Sequence, residues 1–459
     1  MVLLTAATNL MAQDLNTAYF TKGYQYRHDM NPAFGNDKFY FSVPALGNLN
    51  FKLQGNIGVE NVLFKNPNPG GKPTVTFMHP DISYEQAMDG INDKNKTLLD
   101  LKISVLSLGF KAFGGYNTLE VNVRNNFGFY LPGDLFRMAK GLTNKNYNFD
   151  FGVREMAYAE VALGHSRKIN DDLRVGAKLK VLVGGAYADL KVKGLEADFR
   201  ADQNAWYMHT GEMDANVYMK GLELKNNPPG ETFKDGRPDV HVDFDETDFD
   251  GAGISGFGGA IDLGGEFQVL DGLKVSAAIL DLGLINWKNG NQLVQQNSTF
   301  TFDGFNDVAV KDEGNENNKF SKQSDKYSDQ LSEFINVQVA EQGGSKSKML
   351  APTVNIGAEY EMPFYKKLTA GLLLQRHFNG DYSWSEARIS ANVAPLKLFS
   401  FSASGAVNSF GGSFGWLASI HRTGLALFIG MDHVITKTTK QMVPLRTNAS
   451  MNIGLNVSF

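Results

Sequence analysis

Asp243, Asp245, Asp248 and Asp250, followed by Gly251, are the densest group of carboxylates in the chain. Carboxylates two or three residues apart on a loop offer the oxygen ligands that calcium takes, six to eight of them. The spacing lacks the mid-loop glycine of an EF-hand, and a solvated acidic loop is the alternative reading of the same residues. No other cofactor is expected. The eight histidines give no paired metal spacing, and His165-Ser166, His241 and His377 sit in no nucleophile motif. With no cysteine in the chain, disulfides, thiolate catalysis and cysteine metal sites are all excluded. The expectation is a protein that is not an enzyme.

A second set of charged residues is spread along segments that alternate between apolar and polar residues. Glu120, Arg124, Glu160, Arg174, Lys178, Lys180, Asp262, Glu266, Glu359, Glu361, Glu386 and Arg388 all fall on the polar phase. On strands, that phase shares one face. Such a face could line a lumen that selects a permeant. The charges could equally pair with one another and with Arg27, His28 and Asp29, as buried charges must.

The elements that would position them are strands. Leu119, Val121, Val123, Phe127 and Phe129 alternate with polar residues, as do Val175, Ala177, Leu179, Val181 and Val183. In Ser450–Phe459 every second residue is again apolar. Leu99 to Val105 alternates and then changes phase at Leu106, which predicts a bulge. Hairpins are expected at Arg154–Lys168 with Leu173–Leu190, and at Ile254–Val269 with Leu273–Trp287. Further strands follow at Thr353–Met362, Leu368–Phe378, Trp384–Ala394, Leu398–Val407, Phe414–His421 and Leu425–His433. Short helices are expected at Tyr84–Met88, from Pro132 to Leu142 and near Ser328–Val337. Residues 38–57 read as a strand broken by Pro44 and Gly47.

Turns near 170, 271, 365, 396 and 423 are tight, while most connections at the other ends are longer, with 191–250 and 288–349 the longest. That asymmetry belongs to outer-membrane barrels, and the strands number about fourteen, an even count. A mean hydropathy of −0.25 does not oppose this, because alternation dilutes the apolar face. The fold expected is therefore all-β: one transmembrane antiparallel β-barrel in the bacterial outer membrane, spanning residues 38–459, with the lipid bilayer as its surroundings. Trp287, Tyr365, Trp384 and Trp416 are expected as anchors at the membrane interface. Residues 1–12 read as the end of a signal peptide. A net charge of −5 gives no reason to expect nucleic acid.

Residues 13–37 are irregular and aromatic, and carry Asn31-Pro32-Ala33-Phe34. This motif, the alternating hairpins and terminal Phe459 resemble the FadL-type fatty-acid transporter barrels and their PorV-type relatives in surface-protein export. The resemblance implies fourteen strands, with residues 13–37 as a hatch inside the lumen. Tyr24–Phe34, Phe41-Ser42-Val43-Pro44-Ala45-Leu46-Gly47-Asn48, Thr76-Phe77-Met78-His79-Pro80, Ala162-Leu163-Gly164-His165-Ser166 and Ile279-Leu280-Asp281-Leu282-Gly283 more narrowly resemble an uncharacterised family of Bacteroidota outer-membrane barrels. Terminal Phe459 also resembles the mark by which the outer-membrane assembly machinery recognises its substrates. Two functions follow as expectations: passive uptake of a hydrophobic or amphipathic small molecule, or a docking barrel in an envelope or surface-protein export complex.

Overall fold

The computed structural model describes residues 14–36, 38–68, 74–141, 145–200, 205–232, 238–295, 299–303, 320–396, 398–434 and 447–459. Residues 1–12, read from the sequence as the end of a signal peptide, lie outside the described residues.

Fourteen staves close into one antiparallel barrel. The first stave is built from two pieces, β1 (Tyr40–Ser42) and β2 (Leu49–Gly55). There follow β3 (Lys94–Ala112), β4 (Gly115–Pro132), β5 (Asn146–Lys168), β6 (Leu173–Asp198), β7 (Gly256–Leu270) and β8 (Leu273–Gln295). The wall continues through β9 (Thr353–Glu361), β10 (Leu368–His377), β11 (Trp384–Leu396), β12 (Phe399–Asn408), β13 (Gly411–Arg422), β14 (Leu425–Met431) and β15 (Ala449–Ser458). Closure runs through Leu49↔Ile453 and Tyr40↔Ser458, so the Ser450–Phe459 stretch pairs with the first stave.

Alternation sets the wall inside out relative to a soluble protein. Leu179 is 61% exposed and Ile389 is 66% exposed, whereas their neighbours Lys178 and Arg388 are 2% and 1% exposed. A closed, even-numbered antiparallel barrel with an apolar exterior leaves no unpaired backbone edge facing lipid. It is a transmembrane barrel of the bacterial outer membrane. The short turns then face the periplasm and the longer connections the outside.

The first stave is interrupted at residues 43–48, where Pro44 lacks a donor and Ala45 takes a left-handed φ of 59°. The Ala45 amide bonds the Val105 carbonyl at 3.2 Å, beside the register shift between Ser104 and Leu106 in β3. The phase change at Leu106 is this bulge.

Several expectations are corrected outside the membrane. Residues 191–250 and 288–349 are not mainly loop. β6 runs on to Asp198 and β8 to Gln295, and Glu212–Met219 and Val337–Met349 join the same sheet. Beyond the lipid no face has to be apolar, so these strands lack the alternation that marks the wall. Glu212–Met219 and Leu222–Asn226 are separate strands that meet at Gly221, whose φ is +81°. The third helix is longer than expected, Phe320–Ile335. Trp287 and Trp384 are not interface anchors: both are fully buried inside the barrel, packed in interior clusters with Tyr187 and with Tyr130 and Tyr382.

Candidate functional site: a hatch clamped in the lumen

A barrel of about eight strands fills its interior with side chains, whereas a wider one needs other matter. Here the lower lumen is filled by residues 14–36, which form two short 3-10 turns, Asn16–Ala18 and Gln25–Asp29. Their apolar side, Leu15, Tyr19, Phe20, Tyr24, Tyr26 and Phe34, is buried together with Phe428 and Leu417 of the wall. Tyr19 and Phe34 meet edge-on at 5.0 Å, as do Tyr24 and Phe428 at 4.9 Å.

Glycines in the wall make room for this segment. A Cβ on Gly176 would run into the carbonyl of Pro32, and one on Gly264 into the Asn31 side chain. Asn31 holds the turn itself: its Oδ1 accepts from the Ala33 amide at 2.9 Å, and its Nδ2 donates to the Gly265 carbonyl of β7 at 3.2 Å. The Asn-Pro-Ala motif is thus a seat, with one amide closing the turn and gripping the wall.

Charges clamp the other side. Lys178 reaches Asp29 at 2.5 Å and Glu120 at 2.7 Å, and Lys102 reaches Asp29 at 2.5 Å and Asp14 at 3.0 Å. His28 Nδ1 lies 2.9 Å from the Gln25 carbonyl, which can only accept, so that nitrogen carries a proton. Its Nε2 stands 2.7 Å from Glu120 Oε1, a spacing that needs a second proton between them. Arg27 takes no part in this clamp; its Nε donates to the Tyr19 carbonyl and its guanidinium lies 4.2 Å over Phe34.

Above the hatch the wall charges meet each other. Arg124 bonds Glu160 at 3.3 Å and Asp281 at 3.0 Å, and Lys180 bonds Asp262 at 2.8 Å and Asp281 at 2.6 Å. Asp281 has φ 57° at a register shift against β7. The bulge turns its carboxylate inward although strict alternation does not place it there, so sequence reasoning passed over it. At the start of the hatch, the Asn16 and Thr17 amides donate to Asp432 at 2.8 and 2.7 Å. Arg388 holds Glu386 at 2.9 Å and approaches Asp432 to 3.6 Å. Arg174 and Glu266 are half-buried, Glu359 is buried, and Glu361 meets Lys22 at 3.4 Å. Of these four, only Glu361 makes an ion pair with the hatch among the described residues.

His28, Asp29 and Glu120 are a set of metal-ligand types within 4.8 Å of one another, but the Lys178 ammonium already bridges the two carboxylates. The acidic run around Asp243 forms the strand Val242–Phe249, paired with Leu222–Asn226. The register shifts between Asp243 and Asp248, so that Asp248 opposes Glu223 and Asp243 opposes Lys225. Asp248 is tied to Lys225 at 2.7 Å, Asp250 is exposed, and the side chain of Asp245 lies outside the described residues. No calcium cage is assembled among the described side chains. His165 bonds Asn117, His241 bonds Asp239 and His377 bonds the Thr353 hydroxyl.

Among the described residues the lumen holds cavities of about 40, 30 and 10 Å³. Each has room for a few waters at most, against roughly 300–1,000 Å³ for a small-molecule site.

A protein-family model, the family of unknown function DUF5723, matches residues 32–432. No curated protein matches the chain. Among solved structures, the Pseudomonas putida toluene transporter TodX is similar at 8% identity over 98% of this chain and 97% of that one, with a TM-score of 0.40. The Ralstonia pickettii toluene transporter TbuX is similar at 8% identity over 98% and 95%, with a TM-score of 0.38. A Pseudomonas aeruginosa FadL homologue is similar at 9% identity over 98% and 97%, with a TM-score of 0.36.

Proposed function

The chain belongs to the DUF5723 family, and from that premise we propose that it is a gated outer-membrane barrel, drawn here closed, for passive uptake of a hydrophobic or amphipathic small molecule. The observation that carries this reading is the hatch. A segment rich in tyrosine and phenylalanine, separate from the staves, fills a fourteen-stave lumen. Cavities of about 40 and 30 Å³ admit no cargo, so passage requires residues 14–36 to move. Displacement would bare Tyr19, Phe20, Tyr24 and Phe34 toward the path, surfaces suited to an apolar solute. The interrupted stave at residues 43–48 is the weakest place in the wall for release. Phe459 would serve recognition by the outer-membrane assembly machinery.

A second reading, a docking barrel within an envelope or surface-protein export complex, is favoured by one feature. β5 and β6 are 23 and 26 residues long, against roughly 9–11 needed to cross the bilayer, and so carry a sheet well outside it.

Purified protein in liposomes separates the two. Uptake predicts saturable entry of a labelled amphipath that stops when the hatch is cross-linked to the wall through cysteines at Thr21 and Ser402, whose hydroxyls stand 2.6 Å apart. Entry no faster than in protein-free liposomes would end the uptake reading.

A further inference from the structure

The connection between β10 and β11 turns into the lumen instead of away from it. Its residues 378–383, with a 3-10 turn at Gly380–Tyr382, leave the ninth and tenth staves and land on the first four, across the barrel. Asp381 meets Lys94 at 2.6 Å, and Lys96 donates to the carbonyls of Asp381 at 2.9 Å and Ser383 at 3.3 Å. Arg154 donates to Asn379 at 2.6 Å. Tyr382 is seated where β4 has Gly128: a Cβ there would stand 2.9 Å from the Tyr382 ring. Beside it the Tyr130 ring lies 5.6 Å away. At the foot of the loop, Lys52 of the first stave stands 4.6 Å over Trp384. Tyr382, Asn379 and His377 line one side of the 40 Å³ cavity, with Leu98 and Arg124 opposite.

The loop therefore spans the lumen at the end opposite the periplasmic turns, and its far contacts are polar ones at Asn379, Asp381 and Ser383 and the ring of Tyr382 against Leu98 and Tyr130. Lys94 and Asp381 keep about 41% and 32% of their side chains in solvent, so their ion pair is screened and weak. Tyr382 enters a recess that only a glycine leaves open. Tyr382 is as buried as the clamp on the hatch, so the exposed Asp381–Lys94 pair is the part of the latch that opens to solvent.

We propose that residues 379–383 are a second, outward gate: a strap latched across the lumen by Asp381–Lys94 and the Tyr382–Gly128 seat, closing the space above the hatch independently of it. This rests on the gated-barrel reading and extends it to two barriers in series, so a solute from outside meets the strap before the hatch.

The chain has no cysteine, which makes thiol labelling clean. Leu350→Cys puts a reporter in the cavity below the strap, and a charged methanethiosulfonate added to the purified, detergent-folded barrel reads its accessibility. Asp381→Asn is expected to speed labelling about two- to fivefold, the population shift of one partly exposed ion pair. Lys94→Gln should do the same, and Gly128→Val, which expels Tyr382, should act more strongly. Joining Lys94→Cys to Asp381→Cys with a short bifunctional thiol reagent before labelling should slow it below the parent rate. Equal rates in the unlatched, expelled and cross-linked forms, all still migrating as folded barrels on unheated gels, would overturn the proposal. The readout uses no cargo, so failed uptake in liposomes would leave it standing, and its own failure would leave the hatch reading intact.

Discussion

Lys178 and Asp29 stand 149 positions apart in the chain and 2.5 Å apart in the barrel. One belongs to the wall and the other to the hatch, and the same ammonium holds Glu120 of a neighbouring stave. Removing it leaves two buried carboxylates beside His28 and Lys102 alone. Lys178→Met is expected to cost about 3–5 kcal/mol, the usual penalty for breaking a buried pair on one side. The unfolding midpoint on a heat-modifiability gel measures it. Lys178→Met with Glu120→Gln should recover part of the loss, and a double variant no better than the single would show that the pair does not couple.

The seat of Asn31-Pro32 is tested from the wall. Gly264→Val puts methyl groups where the Asn31 amide lies, an overpacking that costs about 1–3 kcal/mol. The hatch is expected to yield before the ladder-bonded wall does. Trypsin should then cut after Arg27, half-buried in the parent, while the barrel still runs as folded. Unchanged cleavage would mean that the seat does not hold the segment.

Asn31→Ala approaches the same seat from the hatch side. It removes the acceptor for the Ala33 amide and the donor to Gly265, at about 1 kcal/mol for each bond. Hydrogen exchange over residues 31–35 should accelerate while exchange in β7 stays at the parent rate.

The strap should respond to acid. Burial pushes the Asp381 carboxyl up, but the Lys94 hydrogen bond and charge outweigh it and hold the group below the usual carboxylate range. A group depressed in the latched form stabilises it fully above the unlatched value. That stability is lost as pH falls through the depressed value. Labelling of Leu350→Cys should thus be slower than in the Asp381→Asn background near neutrality and converge on it in strongly acidic buffer, the two sharing the same fall in thiolate as pH drops.

The wall was legible in the sequence because lipid enforces period two. Where Leu179 must face outward, Lys178 is forced inward, and the broken stave at Pro44 and the bulge before Leu106 are visible as breaks in that rhythm. What stayed hidden obeys other constraints. Asp281 turns inward through a left-handed residue that no alternation announces. Trp287 and Trp384 look like interface residues by type and position, yet serve as interior packing because the lumen above the hatch needs large rings. The strap has no composition that sets it apart from an outward loop; only the recess at Gly128, on a distant stave, gives it somewhere to go. The hatch was recognisable by its motif, but its partners at Asp432 and Lys102 follow from closure of the barrel and not from neighbours in sequence.

The seam adds a consequence for the order in which the molecule is made. The Asn16 and Thr17 amides end on Asp432, and the Tyr26 hydroxyl on Asn456 at 2.7 Å. The segment that leaves the ribosome early is therefore fastened to side chains that arrive among the last. Until β14 and β15 are in place the hatch has only part of its socket, and once β15 zips onto the first stave the wall is a closed ring. Residues 14–36 must then already lie inside the folding sheet, or thread in from the periplasmic rim afterwards. Assembly of this barrel is a race between enclosing its own leader and shutting the door on it.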